Sequence, residues 1–251
     1  GFSPYIQYVI IVFMYLAGIS FTLHYFFIKR QFQRVFRNEE LRSYTLLLIA
    51  ATVTIAAALF YTQHQEPGIA FRHALFQVVS IVTTTGYITS DYLVWPFFTW
   101  LLLFMLMFTG GCAGSTGGGI KIVRIILLFK NSRMELKRIV HPQAILPVRL
   151  NGKSISQQII FNVLAFFLIY IIIFAFGSLV MSARGMEFES AIGSVAACLG
   201  NIGPGLGTVG PVLNYSTVPM AGKWVLAFLM LLGRLELFTV LILFSASFWK
   251  K

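Results

Sequence analysis

The sequence predicts an all-α membrane protein built from repeated units, each made of a transmembrane helix, a re-entrant half-helix with an extended strip, and a second transmembrane helix. Hydrophobic residues make up 58% of the 251 residues and charged residues 11%, against roughly half and a quarter in soluble domains. Two short segments read as copies of one another, and each lies between long apolar runs. The basic residues fall into clusters separated by those runs.

Five apolar segments are long enough to cross a hydrocarbon core, which takes about 20 residues. They cover residues 4–28, 43–61, 94–129, 155–183 and 219–248. Five crossings bring the basic clusters at 29–42, 121–153 and 250–251 to the same side, which the positive-inside rule identifies as the cytoplasm. The net charge of +11 therefore follows membrane topology. The expected partner is the lipid bilayer, and no nucleic acid is expected.

The apolar segments divide the chain into four parts. In order, these are the end of one unit with a cytoplasmic link (1–42), a complete unit (43–130), a cytoplasmic connector (131–154) and a second complete unit (155–251). The connector contains Pro142, Pro147 and many cations, and it either lies along the inner leaflet or forms a solvated loop. The chain opens at Gly1 inside an apolar run, so we expect an N-terminal part to precede it.

The two repeated segments are candidate pore half-helices, and equivalent residues in them are 117 positions apart. Each ends in a strip of mostly small residues, Thr83-Thr84-Thr85-Gly86-Tyr87 and Gly200-Asn201-Ile202-Gly203-Pro204. Threonine favours extended backbone, and glycine permits dihedral angles closed to other residues. Such strips can point backbone carbonyls at a cation and replace its water shell. The alternative is a loop that is rich in threonine by chance, which the second copy disfavours.

The third apolar segment is interrupted by a glycine-rich stretch. Residues 110–119 read Gly-Gly-Cys-Ala-Gly-Ser-Thr-Gly-Gly-Gly, which is six glycines among ten residues. Each glycine inside a helix costs about 1 kcal/mol relative to alanine, so the helix is expected to break there. Irregular backbone at membrane depth is tolerated where it is buried in protein or lines a water-filled path. The break therefore indicates a permeation pathway.

Arg234 lies inside the last apolar segment, where a guanidinium needs acceptors. Gly86 precedes Gly117 by 31 residues, and Gly203 precedes Arg234 by the same number. This register predicts that Arg234 lies at the depth of the glycine-rich stretch, hydrogen-bonds it and closes the path beneath the strips. The alternative is a charge satisfied by Glu236 or by snorkelling, although residues two apart on a helix do not face each other.

Three motifs resemble those of the Trk/Ktr-type potassium uptake proteins. They are the stretch 110–121, Asn201-Ile202-Gly203-Pro204-Gly205-Leu206-Gly207 and Leu232-Gly233-Arg234-Leu235-Glu236. The resemblance covers essentially the whole chain and points to the C-terminal half of the membrane subunit of a Trk system. It implies four linked, potassium-channel-like units around one filter. This chain would hold the third and fourth units and the last helix of the second.

The resemblance also implies roles for individual residues. The potassium-binding filter would consist of the carbonyls of Thr83, Thr84, Thr85, Gly86, Gly200, Asn201, Ile202 and Gly203. The register and the resemblance both assign a gate to Gly110, Gly111, Gly114, Ser115, Thr116, Gly117, Gly118, Gly119 and Arg234. Potassium at the filter is the expected metal ion, with no bound cofactor. Neither strip reads Thr-Val-Gly-Tyr-Gly, which weakens the expectation of sharp discrimination between potassium and sodium.

Further properties follow from the same resemblance. It implies a multi-pass homodimer in the bacterial inner membrane, with one pore per protomer and a cytoplasmic nucleotide-binding regulatory subunit. Potassium would move down its gradient or be coupled to another ion. The alternative is a secondary transporter for another small cation or solute, although such proteins use midplane ligands and inverted repeats, whereas these two units run in the same direction. No enzyme is expected, and Cys112 and Cys198 are expected to serve packing.

Overall fold

A computed structural model describes residues 3–141, 143–144 and 146–249. Gly1, Pro142 of the connector, and Lys250 and Lys251 of the final basic cluster lie outside the described residues. The helices are α1 (Pro4–Ala17), α2 (Phe21–Ile28), α3 (Phe32–Phe36), α4 (Glu39–Gln63), α5 (Pro67–Val82), α6 (Phe97–Leu106), α7 (Ile122–Val140), α8 (Gln157–Ala183), α9 (Phe188–Gly200), α10 (Met220–Arg234), α11 (Leu237–Leu241) and α12 (Ala246–Trp249). A small hairpin pairs β1 (Arg149–Leu150) with β2 (Lys153–Ser154).

The helices α4 and α8 are long, apolar and uninterrupted, with 25 and 27 residues. At 1.5 Å per residue each exceeds the hydrocarbon thickness of about 30 Å. Large apolar side chains on both remain exposed, among them Leu46 and Phe161, which fits a lipid-facing surface. Within the described residues these two helices qualify as membrane spans on length and composition, and four qualify if each bent pair counts as one span.

Two of the predicted crossings are sharply bent. The segment 4–28 divides into α1 and α2, whose axes differ by 102°, and the last segment bends by 116° after α10. The first bend lies in continuously apolar sequence and the second lies at Arg234 and Glu236, and the length of each apolar segment predicted one crossing without a bend. The first break falls at Gly18, where an added Cβ would collide with the Tyr44 hydroxyl. The second falls at Glu236, which has a φ of +60° that a right-handed helix does not accommodate.

The predicted break in the third crossing is present between α6 and α7. The helix α7 then continues to Val140, past the predicted start of the connector at residue 131. Its second half is rich in lysine, arginine, glutamate and methionine, which favour helix as strongly as apolar residues do. The first ten residues of the connector, 131–140, are therefore helical, and the remainder contains the β1–β2 hairpin.

The short helices α5 and α9 lie inside the molecule. Most of their residues are buried, including Ala74, Val78 and Ile81 of α5, and Ala191 and Val195 of α9. The helix α5 packs against α1, α4 and α6, and α9 packs against α8 and α10. Each of the two main hydrophobic clusters is thus built around one short helix. This arrangement brings the residues that follow α5 and α9 to the centre of the fold.

Candidate functional site

The strips after α5 and α9 have the same backbone conformation. Thr84 and Asn201, which are equivalent positions, have φ values of +55° and +57°. Gly86 and Gly203, the next equivalent pair with positive φ, have values of +76° and +114°. Asparagine and glycine tolerate this region, but a β-branched threonine rarely enters it. Strained residues of this kind cost of order 1–3 kcal/mol and cluster at functional sites.

The hydrogen bonds of the two strips also match. The amides of Thr84 and Asn201 each donate to the carbonyl three residues earlier, at 3.0 and 3.1 Å. The amides of Thr85 and Ile202 each donate to the carbonyl five residues earlier, both at 2.9 Å. The repeat found in the sequence therefore extends to individual backbone hydrogen bonds.

The two strips meet in space. A Cβ atom on Gly86 would collide with the backbone carbonyl of Ile202 in the other strip. Gly203 has no atom within 4 Å of its added Cβ, and Tyr87 is 57% exposed. The pair of strips therefore touches on one side and is open on the other.

Tyrosine hydroxyls fix the backbone after the second short helix. Tyr215 donates to the carbonyl of Gly203 at 2.7 Å, and Tyr92 donates to the carbonyl of Gly205 at 2.6 Å. A carbonyl oxygen has two lone pairs, so the Gly203 carbonyl retains one for another ligand. Tyr92 belongs to the unit of α5, so its hydroxyl ties the two units together. These tyrosines were not among the predicted site residues, because partners more than ten residues away leave no local pattern.

We expect Tyr92→Phe to lower the free energy of unfolding by about 1–3 kcal/mol, because it leaves the buried carbonyl of Gly205 without its partner. The measurement is the thermal unfolding midpoint of the purified protein in detergent. The control is Tyr61→Phe, since Tyr61 is 74% exposed and keeps its ring contact with Phe60. Equal midpoints for the two variants would contradict the expected role of Tyr92.

The glycine-rich loop, residues 107–121 between α6 and α7, lies against both strips. The amide of Gly118 donates to the Thr84 hydroxyl oxygen at 2.9 Å. A Cβ on Gly117 would lie 3.2 Å from the carbonyl oxygen of Thr83. A Cβ on Gly118 would collide with the carbonyl of Gly200. The close approach of loop and strips therefore requires glycine at position 118 and leaves little room for a side chain at position 117.

The loop is closed at its base and seated in the bend between α1 and α2. The amide of Gly110 donates to the carbonyl of Ile120 at 2.8 Å, which pairs the two ends of the loop. The amide of Cys112 donates to the carbonyl of Gly18 at 2.8 Å. The amide of Phe21 donates to the carbonyl of Gly114 at 3.1 Å. The bend in the first crossing thus supplies backbone partners to the loop.

Two cations bind carbonyl oxygens of the loop. Arg234 Nη1 donates to the carbonyl of Thr116 at 2.8 Å, so the predicted contact between Arg234 and the loop is present. Lys121 Nζ donates to the carbonyl of Gly117 and to the Ser115 hydroxyl, the latter at 3.3 Å. From the sequence, Lys121 lies just beyond the glycine-rich stretch, which suggests either a relay of a partner's motion to the gate or an anchor of the helix end at the inner leaflet. Its bonds to the loop itself were not predicted.

Glu236 does not neutralise Arg234, which was the alternative considered from the sequence. Its carboxylate pairs with Arg124 of α7 at 2.8 Å. The Arg124 guanidinium also lies 3.9 Å from the centroid of the Phe166 ring, a cation–π contact. A cavity of about 330 Å³ lies beside the loop and is lined by Thr116, Lys121, Arg124, Arg234 and Glu236, among others. Three cationic side chains and one carboxylate therefore lie around this cavity.

Over residues 3–141, 143–144 and 146–249, no group of three His, Cys, Asp or Glu side chains is placed to hold a metal ion. Cys112 and Cys198 are both buried and free. The packing role predicted for them agrees with this arrangement.

Known proteins resemble the chain over nearly its full length. The TrkH family model, described as cation transport protein, matches residues 2–251. The chain is 38% identical over 251 residues to the Trk system potassium uptake protein TrkH of Escherichia coli (strain K12), covering 99% of this chain and 52% of that protein. It is 39% identical over 249 residues to the Trk system potassium uptake protein TrkH of Vibrio parahaemolyticus, covering 98% and 51%.

A solved structure shows the same likeness. The crystal structure of the potassium transporter TrkH from Vibrio parahaemolyticus matches with a TM-score of 0.91 at 39% identity. The match covers 99% of this chain and 53% of that chain. The chain therefore spans about half the length of the relatives it matches.

Proposed function

Because the chain belongs to the TrkH family of cation transport proteins, we propose that it supplies half of a pore for potassium uptake across the bacterial inner membrane. The observation that best supports this function is the matched backbone of the two strips, which carry positive φ at equivalent positions and touch at Gly86. Two such strips form half of a fourfold ring of carbonyl oxygens, the arrangement that replaces the hydration shell of a cation.

The short helices α5 and α9 act as re-entrant pore helices in this proposal. Each strip follows the C-terminal end of its helix, which carries the partial negative charge of the helix dipole. That charge stabilises a cation in the filter. The filter ligands are the carbonyls of residues 83–86 and 200–203, and Tyr215 orients the carbonyl of Gly203 through its hydroxyl.

The glycine-rich loop and Arg234 form the gate. The loop lies against both strips, and Arg234 holds it through the carbonyl of Thr116. A fixed guanidinium beside the path also repels an approaching cation. Opening requires the loop to leave its place under the strips, which breaks the bonds of Arg234 and Lys121 to it.

Membership of the TrkH family supports a proposal for the assembly. The complete protein would be a multi-pass homodimer with one pore per protomer and a cytoplasmic nucleotide-binding regulatory subunit. The cytoplasmic face of this chain, formed by α7 and the β1–β2 hairpin, is where such a subunit would bind. Its basic residues, among them Arg133 and Lys137, are exposed there.

The test of this function is growth in limiting potassium of a bacterial strain that lacks its own potassium uptake systems. We expect the full-length protein to restore growth and Gly203→Ala to reduce it strongly, because alanine at a φ of +114° would distort the second strip. The control is Gly185→Ala, which also has positive φ (+88°) and open space around its Cβ but lies outside the strips. Full rescue by a normally expressed Gly203→Ala protein would refute the filter assignment.

A further inference from the structure

The glycine-rich loop is held from the side by Glu40, a residue in the first turn of α4. Glu40 is buried, with 7% of its surface exposed. Its Oε1 atom accepts hydrogen bonds from the amide of Ala113 at 2.6 Å and from that of Val123 at 3.2 Å. One carboxylate oxygen therefore joins the loop to the start of α7. Hydrogen bonds to a charged acceptor are about twice as strong as neutral ones.

Glu39, the preceding residue, holds a different part of the molecule. Its carboxylate pairs with Lys130 of α7 and accepts a hydrogen bond from the amide of Asn151 at 3.0 Å. The amide of Glu39 donates in return to the Asn151 side-chain oxygen at 2.8 Å. Lys130 also donates to the carbonyl of Arg149 in β1 at 2.8 Å. Since Asn151 lies in the turn of the β1–β2 hairpin, the hairpin is fastened to the first turn of α4.

Helix capping does not explain these contacts. Acidic residues are common in a first helical turn because they face the positive end of the helix dipole. In α4, however, the side chain of Asn38 caps the helix by accepting from the amide of Leu41 at 3.0 Å. The carboxylates of Glu39 and Glu40 instead bind atoms 73 or more residues further along the chain. Their contacts are tertiary and join three separate elements to one helical turn.

We propose that the Glu39–Glu40 turn is the link through which the cytoplasmic hairpin sets the position of the glycine-rich loop, with Glu40 as the positioning residue. Consecutive helical residues point about 100° apart, so the two carboxylates of one rigid turn reach different elements. A displacement of the hairpin moves Glu39 and, through the shared backbone, Glu40 and the loop. The consequence for potassium flow rests on the proposed function, whereas the coupling itself is measurable without potassium.

The buried Cys112 side chain, next to Ala113, reports on the state of the loop. In the full-length protein with Cys112 as its sole cysteine, we expect Glu40→Gln to speed modification by methyl methanethiosulfonate about tenfold, the factor that corresponds to a loss of about 1.4 kcal/mol. Glu39→Gln is expected to change the rate in the same direction. The matched control is Glu135→Gln, because Glu135 pairs with Arg138 along the same helix.

Asn151→Gly tests the link between hairpin and loop. It removes the side-chain partner of the Glu39 amide, and glycine suits the φ of +49° at this position. We expect it to speed Cys112 modification when Glu40 is present and to add nothing in the Glu40→Gln protein. Equal effects in both backgrounds, or an unchanged rate in Glu40→Gln, would overturn the proposal. The proposed pore function is tested separately, because it is refuted if the Gly203→Ala protein restores growth normally.

Discussion

Gly86→Ala is expected to abolish potassium uptake by the full-length protein while leaving it folded in the membrane. An L-residue in the left-handed region costs roughly 1–2 kcal/mol, and the added Cβ would also collide with the carbonyl of Ile202. That carbonyl belongs to the opposite strip and cannot yield without moving it. The substitution therefore displaces both strips at once, and its effect should exceed that of Gly203→Ala, which meets no atom within 4 Å.

The measurement for Gly86→Ala is initial rubidium uptake into cells that lack other potassium uptake systems, normalised to the amount of protein in the membrane. Gly68→Ala is the first control, because it lies in the same helix, α5, with no atom within 4 Å of its added Cβ. Gly185→Ala, with a φ of +88°, controls for backbone strain alone. Uptake by Gly86→Ala equal to that of both controls would show that the contact between strips is not part of the filter.

Arg234→Ala is expected to increase potassium flux through the full-length protein in the absence of the proposed regulatory subunit. The guanidinium holds the loop through the carbonyl of Thr116, and a hydrogen bond from a charged donor contributes about 1.5–3 kcal/mol. Its loss should raise the open fraction of the gate about tenfold or more as long as the gate is mostly closed at rest. Lys121 still binds Gly117 and Ser115, so the loop keeps part of its support.

The flux of Arg234→Ala is measured as rubidium entry into proteoliposomes that contain the purified protein alone. Arg133→Ala is the control, since it removes an exposed cation from α7 without touching the loop's bonds to Arg234 and Lys121. A decrease or no change in flux in a monodisperse Arg234→Ala protein would argue against the gate.

The features that could be predicted from sequence are those encoded locally or by repetition. Six glycines among residues 110–119 break a helix in any context, and the break is present. The offset of 117 residues between the strips predicted equivalent conformations, and Thr84 and Asn201 share them. The same register, carried 31 residues onward, predicted the contact of Arg234 with the loop.

The features that could not be predicted depend on partners distant in sequence. Hydropathy measures how apolar each part of the sequence is and carries no information on contacts in space. It therefore did not predict the bend at Gly18, which lies against the Tyr44 hydroxyl, or the bend at Glu236, which has a positive φ. The ion pair between Arg124 and Glu236 joins residues 112 positions apart. In the sequence, Glu40 is an ordinary acidic residue in the first turn of a helix. Only the structure shows that its carboxylate accepts a hydrogen bond from an amide of the loop.

The small size of the side chains in the glycine-rich loop has a consequence for kinetics. Between residues 110 and 119 the largest side chain is that of Thr116, so displacing the loop repacks few side chains. It does break hydrogen bonds to Gly18, Phe21, Glu40, Thr84 and Arg234. Opening of this kind takes microseconds to seconds, and its barrier would consist mainly of the enthalpy of those bonds. Ion flow through such a gate should therefore rise with temperature more steeply than diffusion through an open pore.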